Sequence, residues 1–199
     1  MTLIKRLTAL LIGNTLAAFA ISCLIKSGLG CFSVTAANIS FATWFGITIG
    51  TAGFLVELVI LAIATYMKEG IGFAAIFNAT YGSLMIDVFN LILPNCVWLV
   101  FFLPLIAIGW AMIGKAGYGD TSNNILMNAI LKRTNKSIGF IRGIQECIYL
   151  IIGILGFTGQ VTWFTIVLTF GLGYMLQIIY KLIGYDPTEI KHKFLIRFK

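Results

Sequence analysis

Shifted by 89 positions against itself, the chain aligns without a gap. Lys26-Ser27-Gly28-Leu29-Gly30 falls on Lys115-Ala116-Gly117-Tyr118-Gly119, and Ser33 falls on Ser122. Ile49-Gly50 falls on Ile138-Gly139, Glu57 on Glu146, and Thr80-Tyr81-Gly82 on Thr169-Phe170-Gly171. Matches of Lys, Glu and paired Gly are costly coincidences in a chain with only 11% charged residues. The chain is therefore two copies of one unit, and function is sought in what two related halves build together.

The hydrophobic fraction is 59% and the mean hydropathy +0.98, well above the roughly 45–50% apolar content of a soluble domain. About 20 apolar residues at 1.5 Å each cross the hydrocarbon core. Six stretches qualify: Leu7–Ile25, Thr48–Tyr66, Ile71–Asn90, Val97–Gly114, Ile138–Phe157 and Val161–Tyr180. The reading is an all-α, polytopic membrane protein, with the lipid bilayer as its solvent.

The net charge of +7 could suggest nucleic acid, but the distribution of the charges argues otherwise. Six spans put thirteen of the fourteen Lys and Arg residues on one face and leave Lys26 alone on the other. That asymmetry marks cytoplasmic loops and places both termini in the cytoplasm. The basic tail then faces anionic headgroups rather than DNA. Trp44, Trp98, Trp110 and Trp163 fall at or near the predicted span ends, where interfacial rings belong.

Lys5-Arg6, an apolar run and Ala20-Ile21-Ser22-Cys23 imitate a lipoprotein signal. Ala and Ile at the two positions before Ser22 fit that pattern poorly, and Leu16 and Ala18 have counterparts at Leu105 and Ala107. The segment belongs to the fold. Cys23, Cys31, Cys96 and Cys147 form no metal or redox pattern, and the one His lies in the tail. No metal, cofactor or catalytic residue is expected.

Each copy holds a span, a short segment and two more spans. The first copy covers residues 1–93, the second 94–180, and a basic tail 181–199. The short segments Ser33–Phe45 and Thr121–Arg133, at roughly 13 residues, are too short to cross and suit re-entrant or interfacial helices. Three spans per copy invert the second copy relative to the first, the 3+3 inverted-topology repeat of many secondary transporters. If the short segments crossed, eight spans and a parallel repeat would result, with Lys26, Lys68 and Lys115 outside. Ala9, Gly13 and Ala17 form a small-residue stripe on the first helix, for packing within the chain or for a homodimer. Pro104 should kink the fourth span and free a carbonyl, whereas its counterpart Thr15 does neither.

Glu57 and Glu146 are the leading site candidates. Each lies eight residues past its Ile-Gly, about 12 Å into the membrane, where an ionised side chain costs about 2.5–3.5 kcal/mol or more. An inverted pair would bring both near mid-depth as substrate or proton carriers. Arg142, four residues before Glu146, could neutralise it, while Gly53 stands at that place before Glu57. Asp87, late in its span, is a gate candidate or a solvated helix end, and Asn78 lies mid-span. Gly28, Gly30, Gly117 and Gly119 are expected hinges, because glycine permits positive φ. Ser33 and Ser122 could cap the short helices, directing N–H groups toward a cavity lined by Thr35, Asn38, Asn123 and Asn124.

The basic start, the Lys-x-Gly-x-Gly turn, the Ile-Gly entry with its Glu, and their repetition at Lys115–Gly119, Ser137–Gly139 and Glu146 resemble the YczE/YyaS/YitT type of bacterial membrane proteins. The resemblance spans roughly residues 5–180. It implies a small multi-span protein of the bacterial plasma membrane and no particular substrate. The expected function is a small transporter or facilitator with a midplane cavity between inverted halves, which the carboxylates could couple to protons. A substrate-binding membrane subunit of a multi-component importer and a non-transporting scaffold are the alternatives. No nucleophile and base come together, so an enzyme is not expected.

Overall fold

The computed structural model describes residues 3–134, 136, 138–169, 178, 182, 195 and 196. Half of the predicted span Val161–Tyr180 and nearly all of the tail 181–199 lie outside the described residues, although residues 163–169 are helical. Among the described residues, the regular structure is helical but for one antiparallel pairing, β1 (Ile71–Gly72) with β2 (Leu195–Ile196).

Among the described residues the helices are α1 (Leu3–Ser27), α2 (Ser33–Phe45), α3 (Ile49–Tyr66), α4 (Phe73–Phe77), α5 (Ser83–Ile92), α6 (Pro104–Ala116), α7 (Ser122–Leu131) and α8 (Ile138–Leu155). A π-helical turn, Asn78–Gly82, joins α4 to α5 without a break, and a 3₁₀ segment, Val97–Phe102, leads into α6. Among the described residues, four helices are long and apolar enough to cross a membrane: Leu3–Ser27, Ile49–Tyr66, Phe73–Ile92 and Val97–Ala116.

The 89-residue shift reappears in the backbone. Ser33 and Ser122 each begin a short helix, and Ile49 and Ile138 each begin a helix of 18 residues. Both turns repeat as well: Gly28 and Gly117 have φ of 69° and 73°, Gly30 and Gly119 of 117° and 113°. Such angles favour glycine, most strongly at Gly30 and Gly119. At Gly30 a side chain would strike Thr162 and Thr165, and at Gly119 the Gly72 backbone. These two glycines are close-packed contacts as well as turns.

Small and polar residues share the interior with apolar ones, and large apolar side chains cover the exterior. Asn14, Ser22, Ser33, Ser40, Ser122 and Thr165 are fully buried, while Leu55, Val59, Ile63, Ile148 and Ile151 point outward. That inversion suits a lipid surround, where the interior of a bundle carries close contacts and hydrogen bonds. The stripe on α1 is spent inside the chain. A Cβ on Gly13 would lie 2.7 Å from the Gly109 carbonyl, and one on Gly109 2.9 Å from the Ala17 nitrogen.

α1 and α6 run antiparallel. Leu10 near the start of α1 clusters with Ile113 and Ala116 near the end of α6, while Leu24 clusters with Ile106. The Cys96 N–H donates to the Lys26 carbonyl at 3.1 Å, closing the far end. Pro104 occupies the first turn of α6, and the fourth span is interrupted there, with Leu103 N–H bonding Val100 in the 3₁₀ register. α1 continues unbroken past its counterpart Thr15. Trp44, Trp98 and Trp163 are exposed, but Trp110 is turned inward.

Candidate functional site

Glu57 and Glu146 are each the ninth residue of an 18-residue helix, at its midpoint. Each meets the first residue of the other copy's short helix. Ser122 Oγ donates to Glu57 Oε2 at 2.9 Å, and Ser33 Oγ donates to Glu146 Oε2. Both serines are fully buried. They do not cap their helices: the N-cap positions are Phe32 and Thr121, neither with a capping side-chain bond. A carboxylate is a stronger acceptor partner for a buried hydroxyl than a helix-end amide is a donor partner, so the hydroxyls turn across the interface between copies.

The surroundings of the two carboxylates differ. Arg142 Nε lies 2.8 Å from Glu146 Oε1, the ion pair expected of that spacing. Arg142 also donates to Asn124 Oδ1 at 3.1 Å, and Asn124 Nδ2 donates to Asp120 at 2.8 Å. Tyr149 donates its hydroxyl to Asn123 Oδ1 at 2.5 Å. Glu57 instead accepts from Asn78 Nδ2 at 3.0 and 3.2 Å, through both of its oxygens. Among the described residues no Lys or Arg pairs with Glu57.

A cavity of about 40 Å³ adjoins the second carboxylate, lined in part by Phe32, Thr35, Trp110, Arg142 and Glu146. It is large enough for one or two water molecules. The start of α2 borders it. Asn38 stands apart from it, with its amide nitrogen against Gly53.

Asp87 is held by the start of α3. It accepts from Thr48 Oγ1 at 2.5 Å and from the Gly50 N–H at 2.7 Å, tying α5 to the start of α3. A carboxylate at a helix N-terminus satisfies an otherwise orphaned donor and complements the dipole. At the other end of α3, Lys132 pairs with Glu69 at 2.6 Å and Arg133 donates to the Met67 carbonyl.

Sequence reasoning brought out Glu57, Glu146, Arg142, Ser33 and Ser122, and the structure joins them in two clusters. It missed Asp120, Tyr149 and Asn14. Asp120 follows the second glycine turn directly, a signal that its lack of a charged counterpart (Cys31) obscured. No curated protein and no solved structure matches the chain. A family profile does match, over residues 4–181, and the chain belongs to that family, DUF6198, a family of unknown function.

Proposed function

We propose that this protein is a small membrane transporter or facilitator built from two inverted halves. Its substrate path would run between the halves, past Glu57 and Glu146. The observation that carries this reading is the crossed pair of serine–carboxylate bonds, Ser122 to Glu57 and Ser33 to Glu146. Each half completes the polar site of the other, so relative movement of the halves would remake both sites together. That coupling is what alternating access around a central site requires.

The antiparallel run of α1 against α6 supports inversion, because equivalent helices of a parallel repeat run the same way. The short helices α2 and α7 are then re-entrant, the remaining long helices give six spans, and both termini are cytoplasmic in a plasma membrane. Basic residues support that sidedness: Arg6 approaches Gly117 at one end of the bundle, while Lys26 meets Cys96 at the other. The importer-subunit alternative drew on the small-residue stripe, and Gly13 and Ala17 are engaged with α6.

The test is uptake from a metabolite mixture into proteoliposomes, read by mass spectrometry of the lumen. Wild-type protein should accumulate at least one solute class that empty vesicles do not, and Glu57→Gln and Glu146→Gln should each reduce it at least tenfold. Equal uptake by both variants would remove the carboxylates from the path.

A further inference from the structure

The two halves give equivalent carboxylates partners of different chemistry. Glu146 is held by Arg142 Nε at 2.8 Å. A guanidinium only donates and never loses its charge in a protein, so a proton on Glu146 would leave Arg142 without its counter-ion. At the equivalent place before Glu57 stands Gly53, where a Cβ would meet the Asn38 amide nitrogen at 3.1 Å. Glu57 accepts from Asn78 Nδ2, at 3.0 Å to Oε1 and 3.2 Å to Oε2, and from Ser122 Oγ, at 2.9 Å to Oε2. The counterpart of Asn78 is Val167, so this amide belongs to the first half alone.

Asn78 and Ser122 share a property that Arg142 lacks: each side chain carries both a donor and an acceptor. With Glu57 ionised, both donate to it. With a proton on Oε2, the new O–H can donate to Ser122 Oγ while Asn78 Nδ2 keeps its bond to Oε1. Both protonation states of Glu57 therefore find partners, and neither leaves a cation unpaired. The Glu146 pair is built for one state only.

Among the described residues, the elements packed against α3 supply Glu57 with no fixed charge. Neither α2, β1 nor α7 contains a charged or titratable side chain. The π-helical turn offers Tyr81, whose hydroxyl shares a hydrogen bond with Thr15 at 2.9 Å. Asp87 of α5 is held at the start of α3 by Thr48 and Gly50. Beyond the other end of α3, Lys132 is paired with Glu69, and Arg133 donates to the Met67 carbonyl. On α8, Arg142 and Glu146 hold each other, Tyr149 donates to Asn123, and Cys147 is exposed.

We propose that Glu57 is the proton-exchanging carboxyl of the pair, while Glu146 stays ionised against Arg142. The proton comes from water on the side to which the path is open. It forms an O–H bond at Oε2, takes the side chain from −1 to neutral, and returns to water when that bond breaks. A neutral acid is the form that mid-membrane depth tolerates best. The inference rests on the transport reading and names its coupling ion and the residue that carries it.

The experiment is pH-difference infrared spectroscopy of the purified protein in detergent, between mildly acidic and alkaline pH, where exposed carboxylates stay ionised. Wild type should show a carboxylic-acid C=O band that disappears as pH rises. Glu57→Gln should lose the band, and Glu146→Gln and Glu69→Gln should keep it. Ser122→Ala should keep the band at a shifted frequency, because the hydrogen bond at Oε2 is gone. No band in wild type, a band that survives Glu57→Gln, or its loss in Glu146→Gln alone would overturn the assignment. An unmoved frequency in Ser122→Ala would overturn it as well, even if Glu57→Gln failed to fold. A Glu57 band without solute uptake in vesicles would leave the proton site standing and remove transport, and uptake without the band would do the reverse.

Discussion

Ser122 Oγ reaches Glu57 Oε2 at 2.9 Å, joining the first residue of α7 to the midpoint of α3. Its counterpart Ser33 does the same for Glu146. A hydroxyl donating to a partly buried carboxylate contributes more than a neutral pair. Ser122→Ala is therefore expected to destabilise by about 1–3 kcal/mol. A double-mutant cycle with Glu57→Gln, followed by thermal unfolding in detergent, should give a coupling energy of the same sign for both Ser–Glu pairs. Additive effects at either pair would show that its bond contributes nothing.

Arg142 supports the second carboxylate from one turn away and continues to Asn124 and Asp120. Its side chain is 36% exposed, so the pair is partly screened wherever water or headgroups reach it. Arg142→Gln should lower Tm, and adding Glu146→Gln should recover part of the loss, because the unpaired charge is then gone. A double variant less stable than Arg142→Gln would argue against the pairing.

Gly109 faces Gly13 across the antiparallel helix pair, where a Cβ would come within 2.5 Å of the Gly13 carbonyl. Gly109→Ala must push α1 and α6 apart, at an expected cost of about 1–3 kcal/mol. Gly143, where a Cβ meets nothing within 4 Å, is the matched control and should tolerate Ala. Equal Tm for both variants would contradict the close approach.

The native cysteines give a reading without mutation. Burial pushes the Cys31 thiol up to about 12, so it stays neutral at all lower pH values, and the thiolate that reacts with maleimide is scarce there. Cys96 is only partly buried and bonded to Lys26 at the far end of the bundle. In intact cells a membrane-impermeant maleimide should label Cys96 and spare Cys31. Fast labelling of Cys31 would contradict its burial.

Much of this arrangement is legible in the sequence. The 89-residue shift carried the starts of α2, α3, α7 and α8 because Ser33, Ser122 and the two Ile-Gly pairs sit where helices begin. Glu57 and Glu146 stood out since charge is rare in an apolar chain, and the four-residue spacing of Arg142 announced its ion pair. The direction of neutral polar side chains was not legible. Asn14 lies in a helix of weak amphipathic periodicity, so no pattern says which way its amide turns; Tyr149 shares the polar face of Arg142, Gln145 and Glu146 on α8, but that spacing does not name Asn123 as its partner. Ser33 and Ser122 resembled caps because a hydroxyl after a glycine turn has two outlets, and only packing of one copy on the other chooses the carboxylate. Asp87 was ambiguous likewise: its partners, Thr48 and Gly50, are 37 or more residues away.

Lys26 and Lys115 occupy equivalent positions in the two copies, and they distinguish the architectures most directly. Single cysteines at these positions, in a background without native cysteines, are treated in intact cells with an impermeant maleimide before and after permeabilisation. Inverted halves predict that Lys26→Cys labels from outside and Lys115→Cys only after permeabilisation. Labelling of both from the same face would contradict the inverted repeat and the transport reading built on it.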